Sequence, residues 1–237
     1  MFFDPVYWIV IGVGMALSLW AQARVKGTFA RYSRMSTRSR MTGADVARGI
    51  LAQNGIHDVT VEPIRGKMTD HYDPRTKTLR LSEPVFGSNS MAAFGVAAHE
   101  VGHAIQDADG YAPLKFRSAW VPVANLGGGL SLVVIILAFF LGGAATALGH
   151  TAALVGVLMF ATTTVFTLIT LPVEFDASRR ALASLESGGF VDSGELAGAR
   201  KVLNAAALTY VAAFVTSLLT LLYWAFRLGL LGGGSRD

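Results

Sequence analysis

Residues His99-Glu100-Val101-Gly102-His103 carry the pattern H-E-x-x-H. On a helix, four residues advance slightly more than one turn, so the two imidazoles leave the same face and can hold one divalent ion, normally zinc. Glu100 sits one step round from His99. From there its carboxylate reaches a water at the metal's open position without occupying a protein-ligand position, as a general base in metal-assisted hydrolysis must. The chain contains no cysteine, so a thiolate metal site, a cysteine nucleophile and a disulfide scaffold are excluded. Any metal must be held by His, Asp or Glu.

Catalytic zinc usually takes three protein ligands and leaves its fourth position to water. The remaining histidines are His57, His71 and His150, and Asp109 stands where the longer motif would place a third histidine. His150 falls on the outer face by the charge count given below. Attention passes to the carboxylates of Leu171-Pro172-Val173-Glu174-Phe175-Asp176-Ala177-Ser178-Arg179-Arg180. Pro favours the first turn of a helix and the dipole favours an acid there, so a helix is expected to restart at Pro172 with Glu174 as the third ligand. The plain alternative for Glu174 is a helix N-terminal acid with no metal role. Asp176 would point to another face, where it either orients a ligand imidazole or pairs with Arg179 or Arg180 at the surface; surface pairing is preferred. His71 and Gln106 are weaker candidates for contacting substrate. Gln106 lies one turn beyond His103, and an exposed polar residue explains it equally well.

The H-E-x-x-H residues need a helix, and one is expected at about 89–108, with Met91, Phe94, Ala98, Val101 and Ile105 as its apolar stripe and Gly110 beyond its end. Upstream, Thr42 and Asp45 form a capped helix start, followed by Val46, Ile50 and Leu51 at helical spacing and by Gly55 as a left-handed terminator. Val59, Val61 and Ile64 alternate as a half-buried strand does, and Leu79 and Leu81 do so after the turn Asp73-Pro74-Arg75. A small sheet with an exposed edge is expected, of the kind that holds an extended peptide by strand addition in zinc peptidases.

The rest of the chain is apolar. With 52% hydrophobic and 15% charged residues, it departs from ordinary soluble domains, in which about 25% of residues are charged. Four uncharged runs, 6–23, 119–141, 151–171 and 204–226, have the length of about 17–25 residues needed to cross a bilayer. Only Asp4 precedes the first run and basic residues follow it, the reverse of a signal peptide, so this run is expected to remain as an anchor. Fourteen Lys and Arg lie between the first two runs, none in 142–150, four between the third and fourth, and two from Arg227 onward. Positive charge stays inside, which puts both termini outside and the connections 24–118 and 172–203 in the cytoplasm. The net charge of +4 is thus a membrane flank and does not imply nucleic acid. Arg24, Lys26, Arg31, Arg34, Arg38 and Arg40 read either as an amphipathic helix on anionic headgroups or as a basic flank continuing the first helix, the latter preferred.

Taken together, Phe3-Asp4-Pro5, Ala21-Gln22-Ala23-Arg24-Val25-Lys26, Leu79-Arg80-Leu81-Ser82, the segment from Gly95 to Gln106 around the motif, Tyr111-Ala112-Pro113-Leu114 and Leu171 to Ser178 resemble the YugP-like family of bacterial membrane zinc metallopeptidases, also called neutral zinc metallopeptidases. The resemblance covers most of the chain. It implies a zinc endopeptidase embedded in the bacterial inner membrane, with His99, His103 and Glu174 as zinc ligands and Glu100 as base. The HtpX and CAAX-prenyl protease group of gluzincins is more distantly similar: its Glu-Phe-x-Ala-Asp stretch matches Glu174-Phe175-Asp176-Ala177 but has Asp where this chain has Ser178. That departure bears on a hydrogen bond to a ligand, not on the third ligand itself.

The expected architecture is a mostly α integral membrane protein of four transmembrane helices with a small cytoplasmic α+β zincin-like domain. Its expected activity is hydrolysis of peptide bonds near the cytoplasmic membrane face, in protein substrates that include membrane proteins or their juxtamembrane tails. A non-proteolytic scaffold or chaperone adaptor would leave Glu100 superfluous, since structural zinc is usually closed by four protein ligands. A transporter would need ionisable groups inside the spans, which offer Asn125, Thr162 to Thr164 and Thr167 but no such group.

Overall fold

The computed structural model describes residues 4–230; Phe3 of the resemblance and Arg236 of the charge count lie outside the described residues. Contacts divide the described residues into an apolar unit, 4–20 with 116–170 and 210–230, and a polar unit, 21–115 with 171–209. Both are mostly helical, and the polar unit adds a small sheet.

The polar unit opens on the second half of α1 (Pro5–Tyr32), which carries the basic stretch onward from the apolar run as one uninterrupted helix. Next comes α2 (Gly43–Gln53), started by the capping box expected at Thr42: the Asp45 N–H donates to Thr42 Oγ1 at 3.2 Å and the Thr42 N–H donates to Asp45 Oδ2 at 2.9 Å. These bonds satisfy two of the donors that a helix start leaves open. Bonds from the Thr42 hydroxyl and N–H hold the Asp45 carboxyl below its ordinary pKa. The linked stabilisation is present above the unfolded value of about 3.9 and fades as pH falls through the lower folded value. Gly55, at φ +68°, ends the segment in the left-handed region.

Strands β1 (Thr60–Ile64), β2 (His71–Asp73) and β3 (Thr78–Ser82) form a sheet of order β1-β3-β2. β1 runs parallel to β3 with Thr60 opposite Thr78, and β2 runs antiparallel with His71 opposite Arg80. β2, with Tyr72 its one large apolar residue, is too short and too polar to show alternation in the sequence. It is nevertheless what reverses the chain so that β1 and β3 lie parallel. Leu79 and Leu81 point into the core beside Val46, Ile50, Phe94, Val101 and Leu185. Each such side chain contributes about 1.5–3 kcal/mol when fully buried.

After the short α3 (Glu83–Phe86), α4 (Met91–Ala108) starts at Ser90, whose hydroxyl accepts the Ala93 N–H. The Met91 N–H, unpaired within the helix, donates to Met35 O at 2.9 Å. At the other end Asp107 accepts from the Tyr72 hydroxyl at 2.8 Å and pairs with Lys77 at 2.7 Å, tying α4 to the β2–β3 hairpin. Burial and this bond push the Tyr72 pKa up. Expected as an amphipathic helix, α4 is buried on several faces, with Glu100, His103 and Gln106 among its buried residues.

The apolar unit consists of parts of α1, α5 (Ala112–Phe140), α6 (Ala147–Ser187) and α7 (Ser193–Arg227). These are four helices long and apolar enough to cross a membrane. Small residues let them approach: a Cβ on Gly127 of α5 would lie 2.6 Å from Met159 O of α6. The Trp120 indole donates to Thr162 O at 3.0 Å, and the Thr167 and Ser217 hydroxyls lie 2.9 Å apart. The charged side chains of the described part of this unit are Asp4, Arg117 and Arg227. The helix expected to restart at Pro172 does not: α6 runs through it unbroken. A proline inside a helix removes one ladder bond, and here the turns after it continue into the packed polar unit, where Val173, Ala177, Ala181 and Leu185 are fully buried.

Replacing Thr42 by Ala is expected to cost about 1 kcal/mol, read as roughly fivefold faster hydrogen exchange over Gly43–Gln53, while Thr42→Ser keeps the wild-type rate.

Candidate metal centre

Two helices of the polar unit build the site. α4 supplies His99, Glu100, His103 and Gln106, and the segment of α6 after Pro172 supplies Glu174, Asp176 and Ser178. Their close approach depends on Gly102. A Cβ there would overlap the Ala177 carbonyl oxygen and lie 3.0 Å from its carbon, so α4 and α6 meet backbone to backbone inside the motif itself.

Across this contact, Glu174 Oε2 lies 3.2 Å from His99 Nε2 and 3.6 Å from His103 Nε2. One donor atom from each of the three residues lies within 4.8 Å of the other two, the one such group among the described residues. Glu174 is 2% exposed and His103 8%. Burial alone would raise the Glu174 pKa, but hydrogen bonds from His103 and His99 outweigh it and hold the carboxyl well below the usual range. His57, His71 and His150 lie outside the group, and His71 Nδ1 sits 2.8 Å from Thr69 O.

The protons on the imidazoles follow from what lies behind them. Gln106 Nε2 donates to Val173 O at 2.8 Å and to Asp176 Oδ2 at 2.9 Å, which identifies its Oε1 as the atom 3.1 Å from His103 Nδ1. His103 therefore donates from Nδ1, and its Nε2 faces Glu174 as the position that a proton or a metal can occupy. Behind His99, Ser178 Oγ lies 3.1 Å from Nδ1 and can accept in the same way. Two imidazole Nε2 atoms and an ionised carboxylate converge on one point, so either protons or a single metal cation must lie between them. Two nitrogens and an oxygen, with no sulfur, are a donor set zinc accepts.

Three sequence expectations change here. Gln106 is fully buried and touches His103, so it is not the exposed polar residue the sequence allowed for. Asp176 does pair with Arg179 and Arg180, but at 5% exposure it is no surface residue. Burial would raise its pKa, yet the bonds from Gln106 and Arg180 lower it. Ser178 supplies the hydrogen bond to the His99 imidazole that its replacement of Asp had put in question. Arg180 also pairs with Asp109 and lies 5.7 Å from the Tyr111 ring centroid, fastening the end of α4 to α6. Gly102 was missed altogether, although an interior helix glycine, costing about 1 kcal/mol, signals a packing demand.

Two helix-borne imidazoles a turn apart, a glutamate next to the first and a buried carboxylate from a second helix form the residue set of zinc-dependent peptidases of the H-E-x-x-H type. The chain belongs to the neutral zinc metallopeptidase family: the family model described as "Putative neutral zinc metallopeptidase" matches residues 7–229. It is 47% identical over 208 residues to the "Putative membrane protease YugP" of Bacillus subtilis (strain 168), a match spanning 88% of this chain and 90% of the relative. No solved structure matches significantly.

Gln106→Leu is expected to weaken zinc binding by about 10- to 100-fold, measured by competition with a chromophoric chelator. Gly102→Val, which drives α4 and α6 apart, is expected to abolish stoichiometric zinc in metal analysis of the purified protein.

Proposed function

We propose that this protein is a membrane-embedded zinc endopeptidase that hydrolyses peptide bonds of protein substrates close to the cytoplasmic membrane face. The observation that carries the reading is the convergence of His99, His103 and Glu174 donor atoms within 4.8 Å, beside Glu100. His99, His103 and Glu174 are the zinc ligands in this reading, and Glu100 is the catalytic base. Bound zinc supplies Lewis acidity, which acidifies water and polarises a peptide carbonyl. Glu100, one residue from a ligand on the same rigid helix, takes the proton of the attacking water on its carboxylate and passes it to the departing amine. Gln106 and Ser178 hold the imidazoles in the tautomer that presents Nε2.

The domain reading divides the chain into spans at 6–23, 119–141, 151–171 and 204–226, a zincin-like cytoplasmic domain at 24–118 and a cytoplasmic segment at 172–203. Its support is the charge count together with four helices of spanning length. Glu174 comes three residues after the third run, which argues for a site near the inner membrane surface and for substrates that include membrane proteins or their juxtamembrane tails. The YugP relative is named a membrane protease, in keeping with this placement.

The test compares zinc content and cleavage of an unfolded, casein-like protein by the wild type and by variants. Glu100→Gln is expected to keep its zinc and lose cleavage by about 100- to 10,000-fold, whereas His99→Ala and Glu174→Ala lose the zinc as well. Unchanged cleavage by Glu100→Gln would overturn its role, and full zinc occupancy in Glu174→Ala would overturn the ligand set.

A further inference from the structure

Away from the metal centre, the polar halves of α1 and α7 enclose a cleft of about 610 Å3, within the size range of small-molecule sites. Arg24, Thr28 and Arg31 face it from α1 at helical spacing, and Lys201 and Asn204 face it from α7. No Asp or Glu lines it, and among the described residues Arg24, Arg31 and Lys201 have no ion-pair partner. Three cations, a hydroxyl and an amide on one cleft are the complement of a phosphate group.

Two further observations favour a lipid as its source. Ala205 and Leu208 give the cleft an apolar wall, which a free phosphate leaves unused and an acyl chain covers. Ala23 and Asn204 also line it, and they are the last residue of the first apolar run and the first of the fourth. The cleft thus lies on both helices at the level where the hydrocarbon-compatible sequence ends. We infer that it is a binding site for the headgroup of an anionic phospholipid, its phosphate held by Arg24, Arg31 and Lys201. The inference rests on the membrane-spanning reading and is independent of the peptidase activity.

The cleft can be blocked without disturbing the fold, because a Cβ on Gly27, which lines it, meets nothing within 4 Å and a helix interior favours Leu over Gly. The experiment follows thermal unfolding of the full chain in detergent with added phosphatidylglycerol, phosphatidylcholine or inorganic phosphate. Phosphatidylglycerol is expected to raise the midpoint by several degrees and the other two to leave it unchanged. The rise disappears in Arg24→Gln/Arg31→Gln/Lys201→Gln and in Gly27→Leu, while the lipid-free midpoint of Gly27→Leu stays at or above the wild type. An equal rise with phosphatidylcholine, a rise with inorganic phosphate alone, or an undiminished rise in both variants would overturn the inference. A carbonate wash that releases the chain from membranes would overturn the spanning reading instead, whatever the lipid result.

Discussion

A buried carboxylate beside two imidazoles is the constraint from which most of the polar unit follows. Ionised Glu174, almost wholly removed from water, carries a desolvation penalty of several kcal/mol that only nearby positive charge and hydrogen bonds can offset. In the proposed zinc site the same burial would make it a strong ligand, because no water competes for its oxygen. In that reading the arrangement accepts a cost in the metal-free chain that a bound cation would cancel, which would couple metal binding to the folding of this region.

Behind the imidazoles and Glu174 the polar groups form a closed chain. Gln106 links His103 to the backbone of α6 and to Asp176, Asp176 is neutralised by Arg179 and Arg180, and Arg180 reaches back to Asp109 at the end of α4. Both ends of this chain are on α4 and its middle is on α6, so the network fixes how the two helices face each other as well as which nitrogen is protonated. The apolar unit solves its packing differently, through glycine contacts and hydroxyls bonded to nearby carbonyls, as helices do when no water is present to satisfy them.

What the sequence disclosed depended on whether the signal was local. A helix over 91–108, the Thr42 capping box and the buried alternation of Leu79 and Leu81 are encoded within a few residues and match the structure. Glu174 is reachable by elimination among the acids and histidines, and it lies beside the two imidazoles. No helix begins at Pro172, so the N-terminal dipole expected to favour an acid there is absent. Gln106 and Asp176 were misjudged because a polar residue on a helix reads as exposed until its partner, some 70 positions away, is known. β2 was illegible for the opposite reason, since three residues are too few to show a period.

Gly102 occupies a position that the motif's formula leaves open, yet its neighbour across the interface makes it specific. What a larger residue would strike is the main-chain carbonyl of Ala177 and not its methyl group. A side-chain clash can be relieved by trimming the opposing residue; this one cannot, because every amino acid brings the same carbonyl. Second-site suppressors of a substitution at 102 should therefore be missing at 177 and arise, if anywhere, at residues that shift one whole helix against the other.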